Sequence, residues 1–204
     1  MDSGDPRLLL CAVTDDLRDG VDGLVSRAVA AERGGVTMIL LRLKHADANA
    51  LLEAAHRLVL ALRIPVVVSE RLDVALAAGA AGVHLTATSM PVIAVRTQAP
   101  ADFLIGASVS ADTDVMSLAT ADYVTIGPVY GTDGASLGLE ELSHHVRACG
   151  RPSVAIGGID PDNAAAMIRA GAVGVAVIGG IFGIDDPEIA SRELRRALDL
   201  AADR

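Results

Sequence analysis

Tryptophan is absent from this 204-residue chain, which holds two Phe and two Tyr. So few aromatic rings exclude a base-stacking platform for single-stranded nucleic acid and an aromatic-anchored protein interface. Positive charge is in the minority, with 17 Lys and Arg against 26 Asp and Glu and a net charge of −9. No basic stripe runs along the chain to neutralise a phosphate polymer, so nucleic acid is not an expected partner. Cysteine occurs as Cys11 and Cys149, in neither a Cys-x-x-Cys spacing nor a Cys/His cluster. This excludes a zinc ribbon and leaves two free thiols in or near a core. Mean hydropathy is high at +0.44. Yet Gly, Asp, Arg or Glu interrupts every apolar run well before the roughly 18 residues a membrane helix needs, so no span is expected. Residues 1–7 carry two Asp and no apolar stretch, unlike a secretory signal, and a cytoplasmic location is expected.

What the chain does have is apolar content, 51% of residues, enough for one sizeable core. A single domain spanning 1–204 is expected. Short β-branched runs alternate with helical periods. The strands are expected at Leu8–Val13, Thr37–Arg42, Pro65–Ser69, Gly82–Leu85, Leu104–Ser108, Tyr123–Ile126, Ser153–Ile156 and Gly174–Ile178. Helices are expected near Val21–Arg33, Ala48–Arg63, Arg71–Ala78, Met90–Thr97, Asp112–Thr120, Leu139–Ala148, Asp162–Ala170 and Pro187–Ala201. Apolar strands with little alternation suit a parallel sheet covered on both faces. Eight such units predict an α/β fold of the (β/α)8 TIM-barrel type. A doubly wound open sheet is the runner-up. It would want a glycine fingerprint after the first strand, where Thr14-Asp15-Asp16 stands instead. Two segments, starting at Ile64 and Arg151, echo each other: Pro, strand, loop, helix, then Ala-Gly-Ala-x-Gly-Val. Half-barrel repetition explains the echo, and so does the independent preference of helix ends for glycine.

Glycine gives the clearest chemical signal. Gly157-Gly158 follows the seventh strand and Gly179-Gly180 the eighth. Loops at these two strand ends commonly hold a phosphate in TIM barrels, because glycine lets backbone N–H groups approach its oxygens. Arg42 and Lys44, two residues apart at the end of strand two, point the same way and can aim at an anion over the barrel mouth. Acidic and hydroxyl groups stand at other strand ends: Thr14-Asp15-Asp16, Ser69-Glu70, Ser108 and Thr132-Asp133. Glu70 is a candidate Mg²⁺ ligand, since that ion takes carboxylate and phosphate oxygens. An ion pair with Arg71 or Arg42 is its other reading. His84 reads as a packed strand-end residue, and His144 and His145 as solvated helix positions.

The segments 12–16 (AVTDD), 34–44 (GGVTMILLRLK), 66–85, 89–91 (SMP), 105–110 (IGASVS), 122–133 (DYVTIGPVYGTD), 138–142 (GLEEL) and 154–182 together resemble the thiamine-phosphate synthase/TenI superfamily. The resemblance runs over nearly the whole chain. It implies a (β/α)8 barrel that handles thiazole phosphate. The synthases join a carboxylated thiazole phosphate to a pyrimidine diphosphate with Mg²⁺, releasing pyrophosphate and CO₂. Their TenI relatives aromatise the thiazole phosphate without a metal.

Carried over residue by residue, the synthase pattern matches in part. Of Gln-x-Arg-x-Lys, Arg42 and Lys44 are present and Leu40 replaces the Gln. The Asn-Asp pair of the metal site is Ser69-Glu70, and the second metal Asp is Ser89. Ser108 matches a substrate-binding serine. Thr-x-Thr-Lys reads Thr132-Asp133-Gly134-Ala135, keeping the first Thr alone, and Val-Ser after strand eight reads Ile178-Gly179. The thiazole-phosphate end survives better than the diphosphate end. The resemblance therefore implies a TenI-like binder of thiazole phosphate or thiamine phosphate, although the tautomerase histidine is Pro128 here. The alternatives are a thiamine-phosphate synthase of reduced efficiency and a non-catalytic regulator that keeps the ligand site. Mg²⁺, a small phosphate ligand and a homo-oligomer are each compatible with the sequence.

Overall fold

A computed structural model describes residues 5–14, 17–109, 113–131 and 136–202. Eight parallel strands close into a barrel in sequence order. They are β1 (Leu10–Val13), β2 (Met38–Leu41), β3 (Val66–Ser69), β4 (Gly82–Leu85), β5 (Leu104–Val109), β6 (Tyr123–Ile126), β7 (Ser153–Ile156) and β8 (Gly174–Val177). β1 pairs with β8 as it does with β2, through Cys11 opposite Ala176 and Met38. The open-sheet alternative is thereby excluded.

The outer ring is α1 (Gly20–Arg33), α2 (Ala48–Ala61), α3 (Leu72–Ala77), α4 (Val92–Arg96), α5 (Gly138–Cys149), α6 (Ala164–Arg169), α7 (Gly179–Phe182) and α8 (Pro187–Ala202). Two layers of apolar side chains result. Outward-facing strand residues such as Leu10, Ile39, Val68, Ile105 and Ile126 pack against the helices. Inward-facing ones, among them Cys11, Met38, Val67, Leu104, Tyr123 and Val154, fill the barrel axis. The period of two that separates these sets also decides which residues line the mouth.

Several expected helices are shorter in the structure, and in two of them local hydrogen bonds give the cause. The stretch expected at Asp112–Thr120 forms a 3₁₀ turn over Val115–Leu118 instead. Asp114 accepts the Met116 amide at 3.0 Å, and its carbonyl takes the Ser117 hydroxyl at 2.6 Å. Such local bonds compete with a longer helix. Similarly, the Asp160 carboxylate accepts the Asp162 and Asn163 amides, each at 3.0 Å, which delays α6 to Ala164. Among the described residues, no helix is long and apolar enough to cross a membrane.

Candidate functional site

The C-terminal strand ends surround a cavity of about 610 Å³, within the usual range for small-molecule sites. Its floor is the uppermost inward layer: Leu40, Ser69, His84, Ser108, Thr125 and Ile156. Arg42 and Lys44 continue the inward alternation of β2 and stand at its edge. Thr14, fully buried at the end of β1, fixes Arg42 at the backbone. Its hydroxyl accepts the Arg42 amide at 2.8 Å and donates to the Arg42 carbonyl at 3.1 Å. The Arg42 side chain is half-buried, Lys44 is exposed, and neither pairs with a carboxylate among the described residues. Two cations without a carboxylate partner among the described residues thus face the mouth, as their spacing predicts.

A second cavity of about 230 Å³ lies between the ends of β7 and β8 and is lined by Gly157, Gly158, Gly179 and Gly180. Ile178 borders both cavities. Gly158 has φ +64°, and a Cβ there would collide with the Tyr130 carbonyl, so the position requires glycine. Asn163 donates to the Gly158 carbonyl at 3.0 Å and holds this loop to the start of α6. The Gly179 and Gly180 amides open α7 and have no acceptor within it. The four glycines therefore converge on one small cavity of a size suited to a phosphate. Thr132 and its neighbours Asp133, Gly134 and Ala135 lie outside the described residues, as do Asp15 and Asp16.

Glu70 pairs with neither Arg71 nor Arg42, its other reading in the sequence. Arg71 bonds Asp73 at 2.6 Å, and Glu70 instead accepts the Thr86 hydroxyl, with Thr88 at 3.4 Å. This correction has a backbone cause, because Glu70 adopts φ +64° and its amide is bound to the His84 carbonyl at 2.8 Å. The turn aims the carboxylate at the β4 loop. Ser89 reaches the same place, its hydroxyl accepting the Thr86 amide at 2.9 Å. One carboxylate and neighbouring hydroxyls thus meet here. No group of three metal-ligating side chains exists among the described residues. Such a donor set fits Mg²⁺ that arrives with phosphate oxygens and does not form a cage by itself.

Beneath the mouth lies a polar layer that motif reading missed. His84 Nε2 is 3.0 Å from Ser108 Oγ and 3.2 Å from Thr125 Oγ1, and His84 Nδ1 is 3.2 Å from the Tyr123 hydroxyl. The strand register explains the meeting, since Gly106 stands opposite His84 on one side and Tyr123 on the other. A Cβ at Gly106 would overlap both rings. The alternation Tyr123-x-Thr125-x-Gly127 was the available sequence signal, but the partners follow only from register. Burial pushes His84 down to about 4 from its ordinary 6.5 and raises Tyr123 well above 10. His84 is therefore neutral in the fold near neutral pH. The unfolded chain takes up its proton as pH falls through 6.5, whereas the folded chain does so only near 4. The contribution of His84 to stability should be constant above that window and lost as pH falls through it. Thermal melts from pH 7.5 to 4 on the native chain and His84→Gln check this: the pH dependence should shrink in the variant.

Both cysteines are free and buried, as expected; burial raises Cys11 to about 12. His144 is exposed and His145 half-exposed on α5.

Comparison with known proteins places this geometry. Residues 10–181 match the model of a family described as thiamine monophosphate synthase. The chain belongs to that family. A thiamine-phosphate synthase of Natronomonas pharaonis is 41% identical over 182 residues, covering 83% of this chain and 85% of that one. One from Roseiflexus castenholzii is 38% identical, with 97% of this chain and 90% of that one covered. The solved thiamine phosphate pyrophosphorylase of Pyrococcus furiosus superposes with a TM-score of 0.87 at 35% identity, covering 96% and 98% of the two chains. These relatives correct the TenI-like expectation: the similarity supports the synthase alternative. The motif losses that suggested TenI do not move the barrel away from the synthase group.

Proposed function

We propose that the protein is a thiamine-phosphate synthase. It joins a carboxylated thiazole phosphate to a pyrimidine diphosphate, releasing pyrophosphate and CO₂. The observation that carries this reading is a pair of anion-binding features on one rim. Arg42 and Lys44, which have no carboxylate partner among the described residues, line the large cavity, and the four-glycine cavity adjoins it at Ile178. A reaction between a monophosphate and a diphosphate calls for two such features.

In this reading, Gly157, Gly158, Gly179 and Gly180 hold the thiazole phosphate through backbone amides. Arg42 and Lys44 bind the diphosphate, and Ser108 binds the pyrimidine. The carbon–oxygen bond to the diphosphate breaks first, the thiazole nitrogen then forms the new carbon–nitrogen bond, and the thiazole carboxylate leaves as CO₂ with its carbon–carbon bonding pair retained by the ring system. Pyrophosphate leaves with its charge stabilised by the cations, whose preorganised positions act on a developing anion. Mg²⁺, when bound, would supply further neutralisation of that anion, with Glu70 and Ser89 as the residues to hold it. Leu40 and Ile156 supply the apolar part of an otherwise polar floor.

The direct test is incubation of both substrates with Mg²⁺, following pyrophosphate release and thiamine phosphate formation. Absence of product would reject the reading. The phosphate end has its own test. Gly179 has no atom within 4 Å of an added Cβ, so Gly179→Asp adds a carboxylate without disturbing the turn. Thiazole phosphate should raise the melting temperature of the native chain, since it binds only the folded state. That shift should vanish in Gly179→Asp, and its persistence would relocate the phosphate.

A further inference from the structure

The buried hydrogen bonds beneath Ser108 have a direction. Tyr123 is 1% exposed, and its hydroxyl has one polar partner among the described residues, His84 Nδ1. A phenol can donate or accept, and so can a neutral imidazole nitrogen. If Nδ1 carried the imidazole proton, the Tyr123 hydrogen would be left buried with no acceptor, an arrangement that native interiors avoid. Tyr123 therefore donates to Nδ1, and the proton of the neutral ring sits on Nε2. That N–H points at Ser108 Oγ at 3.0 Å and Thr125 Oγ1 at 3.2 Å. Thr125, 5% exposed, donates in turn to Ser108 Oγ at 3.3 Å. Both bonds end on the Ser108 oxygen. Its own hydrogen then has one direction left, into the mouth.

We propose that Tyr123 and His84 are positioning residues that, with Thr125, fix the Ser108 hydroxyl as a hydrogen-bond donor to the substrate. The group seated on Ser108 must then be an acceptor, such as an unprotonated ring nitrogen of the pyrimidine; an exocyclic amine is rejected there. Without the relay the hydroxyl rotates between donor and acceptor roles, and the preference is lost. Gly106 is part of the device, since its missing side chain lets the two rings touch across β5. The proposal rests on the synthase reading for the substrate's identity but not for the direction of the bonds.

Two measurements test it. The first is nitrogen-15 NMR of the His84 ring in the unmodified protein at neutral pH. It should show a proton on Nε2 and none on Nδ1. A proton on Nδ1 overturns the proposal whatever the protein catalyses. The second is a double-mutant cycle read as kcat/KM for the pyrimidine diphosphate. Tyr123→Phe removes one buried oxygen and keeps the ring; it should lower kcat/KM about 5–10-fold, the worth of one hydrogen bond. KM for thiazole phosphate should not change. Once Ser108→Ala has removed the hydroxyl, adding Tyr123→Phe should cost nothing further. Equal losses in both backgrounds would mean that Tyr123 acts on packing alone, which overturns the positioning role. A protein with no synthase turnover would fail the earlier reading while the NMR result still decides this one.

Discussion

Replacing Arg42 by Ala should lower single-turnover pyrophosphate release about 10²–10³-fold, the usual cost of removing one preorganised group that stabilises developing charge. Arg42 is the better fixed of the two cations. Thr14 holds its amide and its carbonyl, its side chain is half-buried, and no described carboxylate competes for it. A guanidinium so placed meets the leaving diphosphate without reorganising. Arg42→Lys should recover only part of the rate, because a point charge cannot reproduce the planar fork. Lys44 is exposed and should matter less. The thermal shift given by thiazole phosphate should survive in Arg42→Ala, since that ligand is assigned to the glycine cavity. An unchanged rate, or loss of thiazole-phosphate binding in place of rate, would contradict the assignment.

The second large effect concerns the metal-facing corner. Against a relative with Asp at both metal positions, the native protein should turn over at least about 100-fold more slowly, with the same charge-stabilising effect at stake. Mg²⁺ alone should show no saturable binding in calorimetry below about 1 mM, as suits a poorly caged hard cation. The double change Glu70→Asp and Ser89→Asp should bring Mg²⁺ binding into the measurable range and raise turnover about tenfold or more, a part of that deficit. Three structural points support this. The Glu70 carboxylate is engaged by Thr86, Ser89 supplies a neutral oxygen, and Glu70 sits at φ +64°. Asp tolerates that backbone region better than Glu and draws the carboxylate back by a methylene. Turnover equal to a full-motif relative in the native protein would show that Glu70, Arg42 and Lys44 suffice.

The barrel was legible because each strand is a short apolar run that stops at or near a glycine, a charge or a hydroxyl residue. β4, β6 and β7 begin and end where the sequence pattern puts them. The Gly157-Gly158 pair was legible for a related reason, since both residues have positive φ and no room for a Cβ. What stayed hidden depends on contacts across strands. Nothing near Glu70 announces Thr86 as its partner; the positive φ that turns it there is a backbone property without a local signature. His84 was read as packed, and it is, but its bonds to Tyr123 and Ser108 need the register of three strands. The 3₁₀ turn at Val115–Leu118 shows a further limit, because Asp114 favours local bonding over the helical period around it. The TenI-like expectation weighed individual motif losses more heavily than similarity along the whole chain.

Gly106 has an evolutionary corollary. By giving up its own side chain, β5 lets residues of β4 and β6 meet through it, so positions 84, 106 and 123 form a single heritable unit. Any side chain gained at 106 evicts one ring or the other, and loss of either ring opens a void that selection can refill from 106. Across the family, these three positions should drift together or stay fixed together. A lineage that abandons the histidine is free to abandon the glycine as well.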